Sequence, residues 1–354
     1  MFSVGIIGLP NVGKSTLFKA LTKIAVPIAD YPFTTIDPHH GIVKVKDKKL
    51  KKIAELIKPQ KTTHCLIEFI DIAGLVEGAH KGEGLGNKFL SNITEADVLL
   101  EVIRNFSVSQ KILPEKEELQ HPQYNLWEDV NPKRDIEIIK NEIIKRDEKI
   151  ISKFIESKEI KKEEKNIAEK LLKLIRDKSW PNDVIRNLKP EESLSIEKLG
   201  KKRGIISIKP IIYLFNITEK NKKNLKENDS LFLNLKRELE ISDLTEKERE
   251  EIGELSNLDD IILTCYNKLD LITFYTIKGG EEVRATELKK GSNILEAAEK
   301  IHTDFKEKFV RAEVLSFGDF INYGSWHKAR ENGLLKIKGK EYIVQNEDII
   351  EFKI

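Results

Sequence analysis

Residues 2–24 read "FSVGIIGLPNVGKSTLFKALTKI". "FSVGIIGL" is a short apolar run of the kind that forms a buried strand, and "KSTLFKALTKI" reads as the helix after it. Between them Gly8 and Gly13-Lys14-Ser15 stand in G-x-x-x-x-G-K-S spacing. Glycines let backbone N–H groups curl round phosphate oxygens, and a helix N-terminus adds partial positive charge. The strand–loop–helix setting is what separates this motif from a chance glycine-rich turn. Asn11, Val12, Gly13, Lys14, Ser15 and Thr16 are the expected phosphate cradle. Lys14 should reach the β- and γ-phosphates, and the Ser15 hydroxyl should sit on Mg²⁺.

The next long strand, "HCLIEFIDI", runs into "DIAG" (71–74). At that position Asp71 would hold the magnesium shell through water, and Gly74 would offer its N–H to the γ-phosphate. "YPFTTIDP" (31–38) lies between the two motifs, where a switch segment belongs. Its Thr35 is the expected second hydroxyl on Mg²⁺, with Thr34 the alternative. Leu75 stands where many GTPases carry a water-orienting Gln, and a leucine cannot position water, so slow intrinsic turnover is expected. The following "VEGAHKGEGLGNKFLSNI" places Gly78, Gly82, Gly84 and Gly86 within nine residues. A segment ordered only by γ-phosphate has that composition.

At 354 residues the chain should divide into two or three units. Its 61 basic residues nearly cancel 59 acidic ones, so overall charge gives no reason to expect nucleic acid. Cys65 and Cys265 sit beside apolar residues and read as buried free thiols of a reducing compartment. The N-terminal stretch lacks a basic leader and a cleavage site, and no apolar run approaches the ~18 residues of a membrane span. A cytoplasmic protein without a membrane partner is the expectation.

Ile and Leu recur at three and four through residues 131–203, predicting a pair of long amphipathic helices inserted into the α/β unit. That span carries 21 basic and 15 acidic residues, a lean of +6 on an arm that could touch RNA. From 271 the pattern turns to short strands with Gly279-Gly280 as a hairpin turn and one helix, "ILEAAEKIHTDFKEKF". Residues 271–354 are therefore expected to form a small mixed sheet wrapped on a helix.

Two stretches have the spacing of a tetrad that reads a purine base: "NITE" (216–219) and "NKLD" (267–270). A base reader must stand at the C-terminal end of a core strand, beside the phosphate loop. "KPIIYLFN" leads straight to Asn216 as such a strand. The apolar residues before "NKLD" fall at helical intervals, so that tetrad should end a helix. Guanine offers N1–H and an exocyclic N2 amino group, which an Asp at the fourth position accepts together. Adenine offers N6–H₂ and N7, which an Asn amide pairs with. Glu219 is a methylene longer than Asp, and Ile217 and Thr218 replace the usual packing lysine, so ATP is favoured over GTP.

With these pieces in place the chain resembles the YchF-type (Obg-like) P-loop ATPases, a branch of the translation-factor-related GTPase class. The likeness rests on "GLPNVGKSTLF", "YPFTTIDP", "DIAGLVEGAHKGEGLGNKFL", "FNITE" and "IHTDFKEKFVRAEV", spread over nearly the whole chain. It implies an α/β fold: a P-loop NTPase sheet (1–270) interrupted by a helical coiled-coil insertion (131–203), then a C-terminal TGS domain (271–354), a ubiquitin-like β-grasp. It also implies ATP hydrolysis and binding to the ribosome, its large subunit or the whole particle; RNA contact through the arm and the TGS domain is a further expectation. Asn11 matches a P-loop asparagine that helps hold K⁺ beside the β–γ bridge in related members. The family further points to a catalytic histidine in a loop before the arm, where this chain offers His121; His39, His40 and His80 are the alternatives. One departure concerns the base pocket. A strand over Ser230–Leu235 runs into "KRELE" without the Ser-Ala pair that usually lines the base, and the helix expected before it is missing. A GTPase of ribosome assembly and a nucleotide-gated adaptor with incidental hydrolysis are the alternative readings.

Overall fold

The structure, a computed structural model, describes residues 1–25, 39–72, 93–106, 130–177, 179–218, 230–253 and 256–354. The apolar run at the N-terminus is β1 (Phe2–Ile7), buried from Ser3 onward, and α1 (Lys14–Lys23) follows the loop. β2 (His40–Lys44) comes next, then α2 (Lys48–Ile57), capped by the Asp47 carboxylate on Lys49 N and Leu50 N. After β3 (Lys61–Thr63) come β4 (Leu66–Asp71) and β5 (Val98–Asn105), whose first seven residues are buried.

The inserted arm comprises α3 (Pro132–Ile155), α4 (Lys162–Arg176), the single turn α5 (Pro181–Ile185) and α6 (Pro190–Lys202). Asn131 caps α3, with Pro132 in the first turn, where a missing N–H does no harm. The expected pair of helices therefore gains a third. Pro181 and Pro190 break the chain into separate helices, and Ile196 and Leu199 of α6 close an apolar core with Ile151, Leu171 and Ile175.

β6 (Ile211–Ile217) and β7 (Ser230–Leu233) complete the first sheet, in the order β2-β4-β1-β5-β6-β7. β1 pairs parallel with β5, β5 with β6, and β6 with β7. β7 ends two residues before the sequence expectation because the Asn234 side chain accepts from Arg237 N and starts α7 (Leu235–Ser242). α8 (Glu246–Ile252) and α9 (Leu258–Lys268) lead out of this unit.

β8 (Leu271–Lys278) and β9 (Glu282–Lys289) form the hairpin expected over Gly279 and Gly280, whose φ values of 57° and 77° the turn requires. α10 (Ile294–Ile301) and α11 (Thr303–Glu307) precede β10 (Arg311–Ser316), α12 (Phe317–Tyr323), α13 (Trp326–Glu331), β11 (Lys336–Lys338) and β12 (Asp348–Lys353). The last strand lies parallel beside the first, giving the order β11-β10-β12-β8-β9-β3. A hairpin, a helix and a closing strand set next to the opening one are the β-grasp arrangement.

The sixth strand was not legible. "HCLIEFIDI" reads as one strand, yet the chain first places Lys61–Thr63 parallel to β9 of the other sheet. The compact units are Met1–Val43 with Glu68–Ile261, and Lys44–Ile67 with Ile262–Ile354. Lys44–Ile67, which the sequence reads as part of the first domain, thus belongs to the second compact unit, and the three polar residues of β3 carry no strand signal that would announce it. Within the second unit Tyr275 Oη donates to Asp47 Oδ2 at 2.7 Å, tying α2 to β8. Cys65 and Cys265 are both free and buried, and burial pushes the Cys65 thiol up to about 12.

Tyr275→Phe removes a hydrogen bond to a carboxylate and should lower the stability of the second unit by about 1–2 kcal/mol. Urea denaturation followed through this unit checks it. An unchanged midpoint would show that α2 is held there by packing alone.

Candidate nucleotide-binding site

The turn from β1 into α1 is shaped by backbone that side chains rarely adopt. Gly8, Asn11 and Gly13 have φ of 151°, 64° and 111°. A Cβ on Gly8 would lie 2.5 Å from the Val102 carbonyl oxygen of β5, and one on Gly13 would lie 2.6 Å from Asn216 Nδ2. Both glycines are therefore required by close approach as well as by conformation. Asparagine is among the few other residues that tolerate the left-handed region, which suits Asn11. Gly13 caps α1 without a side-chain bond, and no acidic residue stands in the first turn. The first N–H groups of α1 are left for an anionic ligand.

The charged groups sit in tension around that turn. Lys14 is buried, and its Nζ donates to Leu9 O at 2.8 Å and Gly8 O at 3.2 Å. Burial lowers its pKa to about 8, opposed by the nearby Asp71 carboxylate. Ser15 Oγ donates to Asp71 Oδ2 at 3.2 Å. Burial raises the Asp71 pKa, against the pull of Ser15, Lys14 and His39. A hydroxyl and a carboxylate so close, beside the phosphate loop, are the hard oxygen donors that Mg²⁺ takes with substrate phosphates and water. Asp71 N also donates to the His39 carbonyl at 2.9 Å.

Asn216, the next-to-last residue of β6, turns its amide onto the loop. Its Nδ2 donates to Val12 O at 3.0 Å, and its Oδ1 accepts from Leu235 N at 3.2 Å, at the start of α7. One Nδ2–H remains for a purine N7. The Val12 carbonyl and the Leu235 N–H were missed by sequence reasoning because they are backbone groups with no residue-type signal. At the C-terminal ends of β6 and β7 lies a cavity of about 260 Å³ lined by Ile217, Thr218, Leu233, Asn234 and Arg237 among others. Glu238, in the unexpected "KRELE", is buried and accepts from Asn257 N at 3.0 Å and Ser256 Oγ at 2.9 Å. The departure thus anchors the lead into α9.

"NKLD" has no such place. Asn267 and Lys268 end α9, and Asp270, at φ 52°, precedes β8 of the second sheet. Of the candidate histidines, His40 Nδ1 lies 2.9 Å from Glu68 Oε1, and His39 adjoins Asp71. Thr16 is the third residue of α1, half-buried. Thr34, Thr35, Gly74, Leu75, His80, His121, Glu219 and the segment before β7 lie outside the described residues.

This sheet and loop define the chain as a P-loop nucleoside triphosphatase of the GTPase class. The family model described as 50S ribosome-binding GTPase (MMR_HSR1) matches residues 3–142, and YchF-GTPase_C, described as a protein of unknown function (DUF933), matches residues 271–354. Curated relatives named "Ribosome-binding ATPase YchF" share 37% identity in Mycoplasma genitalium, over 100% of this chain and 99% of that protein. The relative of that name in Bacillus subtilis shares 38%, over 99% and 98%. The solved YchF GTPase of Schizosaccharomyces pombe superposes with a TM-score of 0.80 at 32% identity, covering 99% of this chain and 97% of that one. The chain belongs to the YchF family.

Two outcomes follow from this geometry. Asn216→Ala strands two backbone groups and should cost about 2–4 kcal/mol of stability, with loss of affinity for both purine nucleotides. Asp270→Ala places alanine at a φ of 52°, so it should cost about 1 kcal/mol of stability, yet leave nucleotide preference untouched. Paired melting and binding curves test this; selective loss of GTP binding in Asp270→Ala would restore "NKLD" as the reader.

The second outcome concerns protons. Lys14 in the free protein loses its proton as pH rises through about 8, whereas bound phosphates favour the ammonium. Nucleotide binding should therefore take up a proton above that pH, and affinity should fall as pH rises further. Calorimetry at pH ~8.5 in buffers of different ionisation enthalpy reads this uptake directly, and Lys14→Ala should abolish it along with most affinity.

Proposed function

We propose that the chain is a ribosome-binding ATPase that hydrolyses ATP to ADP and phosphate slowly, using the bound nucleotide to set the posture of its helical arm and β-grasp unit. The observation that carries the ATP reading is Asn216 at the end of a core strand, bonded to the phosphate loop and followed by Ile217, Thr218 and Glu219. A glutamate at the fourth position cannot meet guanine N1–H and N2–H₂ as an aspartate does. The names of the full-length relatives support the same reading.

The roles divide as follows. Lys14 neutralises charge developing on the β- and γ-phosphates, and the N–H groups of Val12 to Thr16 cradle their oxygens. Mg²⁺, when bound, would withdraw charge from the phosphates. Ser15, Thr35 and Asp71 would hold it, and Gly74 N–H would be offered to the γ-phosphate. Asn11 would help hold K⁺, which would supply the positive charge that an arginine finger gives elsewhere. His121, in place of the Gln absent at Leu75, orients water or steadies the leaving charge. The +6 arm supplies a salt-sensitive share of ribosomal RNA contact. The balanced β-grasp unit supplies a shape-specific one, and the protein works in the cytoplasm.

Titration with ATP and GTP should give tighter ATP binding. Glu219→Asp should improve GTP binding by at most what one charged hydrogen bond is worth, ~1.5–3 kcal/mol. Tighter GTP binding by the unmodified chain would favour the GTPase reading. Hydrolysis should also rise when K⁺ replaces Na⁺ at constant ionic strength, and Asn11→Ala should erase that difference; equal rates in both salts would remove the cation.

A further inference from the structure

Lys209, two residues before β6, belongs to no site described above. Its Nζ donates to Ile93 O at 2.9 Å, to Thr94 O at 2.6 Å and to Ala96 O. One half-buried ammonium thus gathers three carbonyls from the single turn that enters β5. In sequence that turn is the exit of the stretch beginning at "DIAG". An ammonium has three protons, and all three are used here. Pulling the turn away would strand a charge and three carbonyls, so displacement of either segment carries the other with it.

The other side of Lys209 is rooted in the arm. Its carbonyl accepts from Trp180 Nε1 at 2.9 Å, and Ile208 O accepts from Asn182 Nδ2 at 2.7 Å. Asp147 of α3, wholly buried, accepts from Ile206 N at 2.9 Å and Ser207 N at 2.7 Å and pairs with Arg146 at 2.6 Å. Arg146 Nη1 also donates to Gly204 O at 2.9 Å. A Cβ on Gly204, whose φ is +64°, would in turn meet Thr94 at 3.7 Å. Residues 204–209 are therefore held by side chains of the arm at nearly every step.

We propose that Lys209 is the joint through which the turn at 93–96 and the root of the helical arm move as one body. A shift of that turn between nucleotide states would thereby be carried to α3 and α6. This rests on the switch reading above and adds its mechanical link. Lys209 touches neither phosphate nor base: it is a positioning residue.

The test is hydrogen exchange across residues 132–202 of the full chain, with ADP and with a non-hydrolysable ATP analogue plus Mg²⁺. In the unmodified protein exchange at the arm root should differ between the two states by roughly threefold or more. Lys209→Met should bind both nucleotides within about threefold of the unmodified affinity and show the same arm exchange in both states. A merely structural lysine would, when replaced, raise exchange in both states and leave their difference intact. That outcome overturns the joint while leaving the switch standing. An unmodified protein with no difference between states overturns the switch reading and the joint with it. Should Lys209→Met fail to fold by circular dichroism, Lys209→Gln keeps a neutral donor for one carbonyl and is read by the same criteria.

Discussion

The Asn216 carboxamide joins three stretches that are far apart in the chain: the end of β6, the phosphate loop at Val12 and the start of α7 at Leu235. Gly13 must be a glycine because Asn216 Nδ2 occupies the space of its Cβ. Gly8 must be one because the Val102 carbonyl of β5 does the same on the other flank. The loop is therefore pressed between two neighbouring strands, which fixes the direction of its N–H groups before any ligand arrives. Preorganisation of this kind is what makes oriented backbone dipoles effective toward phosphate. The course of the phosphate loop beside β6 depends on that one amide.

Electrostatics supply the second half of the design. Lys14 and Asp71 are both driven toward their neutral forms by burial, and each partly restores the other's charge. Lys14 rests on loop carbonyls, and Ser15 rests on Asp71. A loop carbonyl and a neighbouring hydroxyl are weaker partners for an ammonium and a carboxylate than phosphate and a divalent cation are. Lys209 differs in that its ammonium has three carbonyl partners, one for each proton.

The parts legible in sequence were those where two independent signals agreed. β1 and α1 were readable because an apolar run and a helical pattern flank a glycine spacing with only one physical use. The helix that ends in "NKLD" was readable because its apolar residues already had helical spacing, and they form α9. The hairpin at Gly279-Gly280 announced itself through residues suited to positive φ. Illegible parts were those decided by backbone partners or by distant packing. Lys61–Thr63 is polar, three residues long, and becomes a strand only because β9 offers an edge. The third arm helix was hidden by prolines that read equally as loop. In the candidate site, Lys14, Ser15, Asp71 and Asn216 could be named from residue type. Val12 O and Leu235 N could not, since every residue carries those groups.

A glycine-shaped phosphate loop, a leucine after "DIAG" and an arm rooted in residues 204–209 are the features on which the proposal of a slow, ribosome-linked ATPase rests. The most direct test is the rate of ATP hydrolysis by the purified chain with and without ribosomes, beside GTP at the same concentration. Slow ATP turnover that rises on adding ribosomes, with GTP turned over less well, is the expected result. Turnover indifferent to ribosomes, or faster with GTP than with ATP, would contradict the assignment.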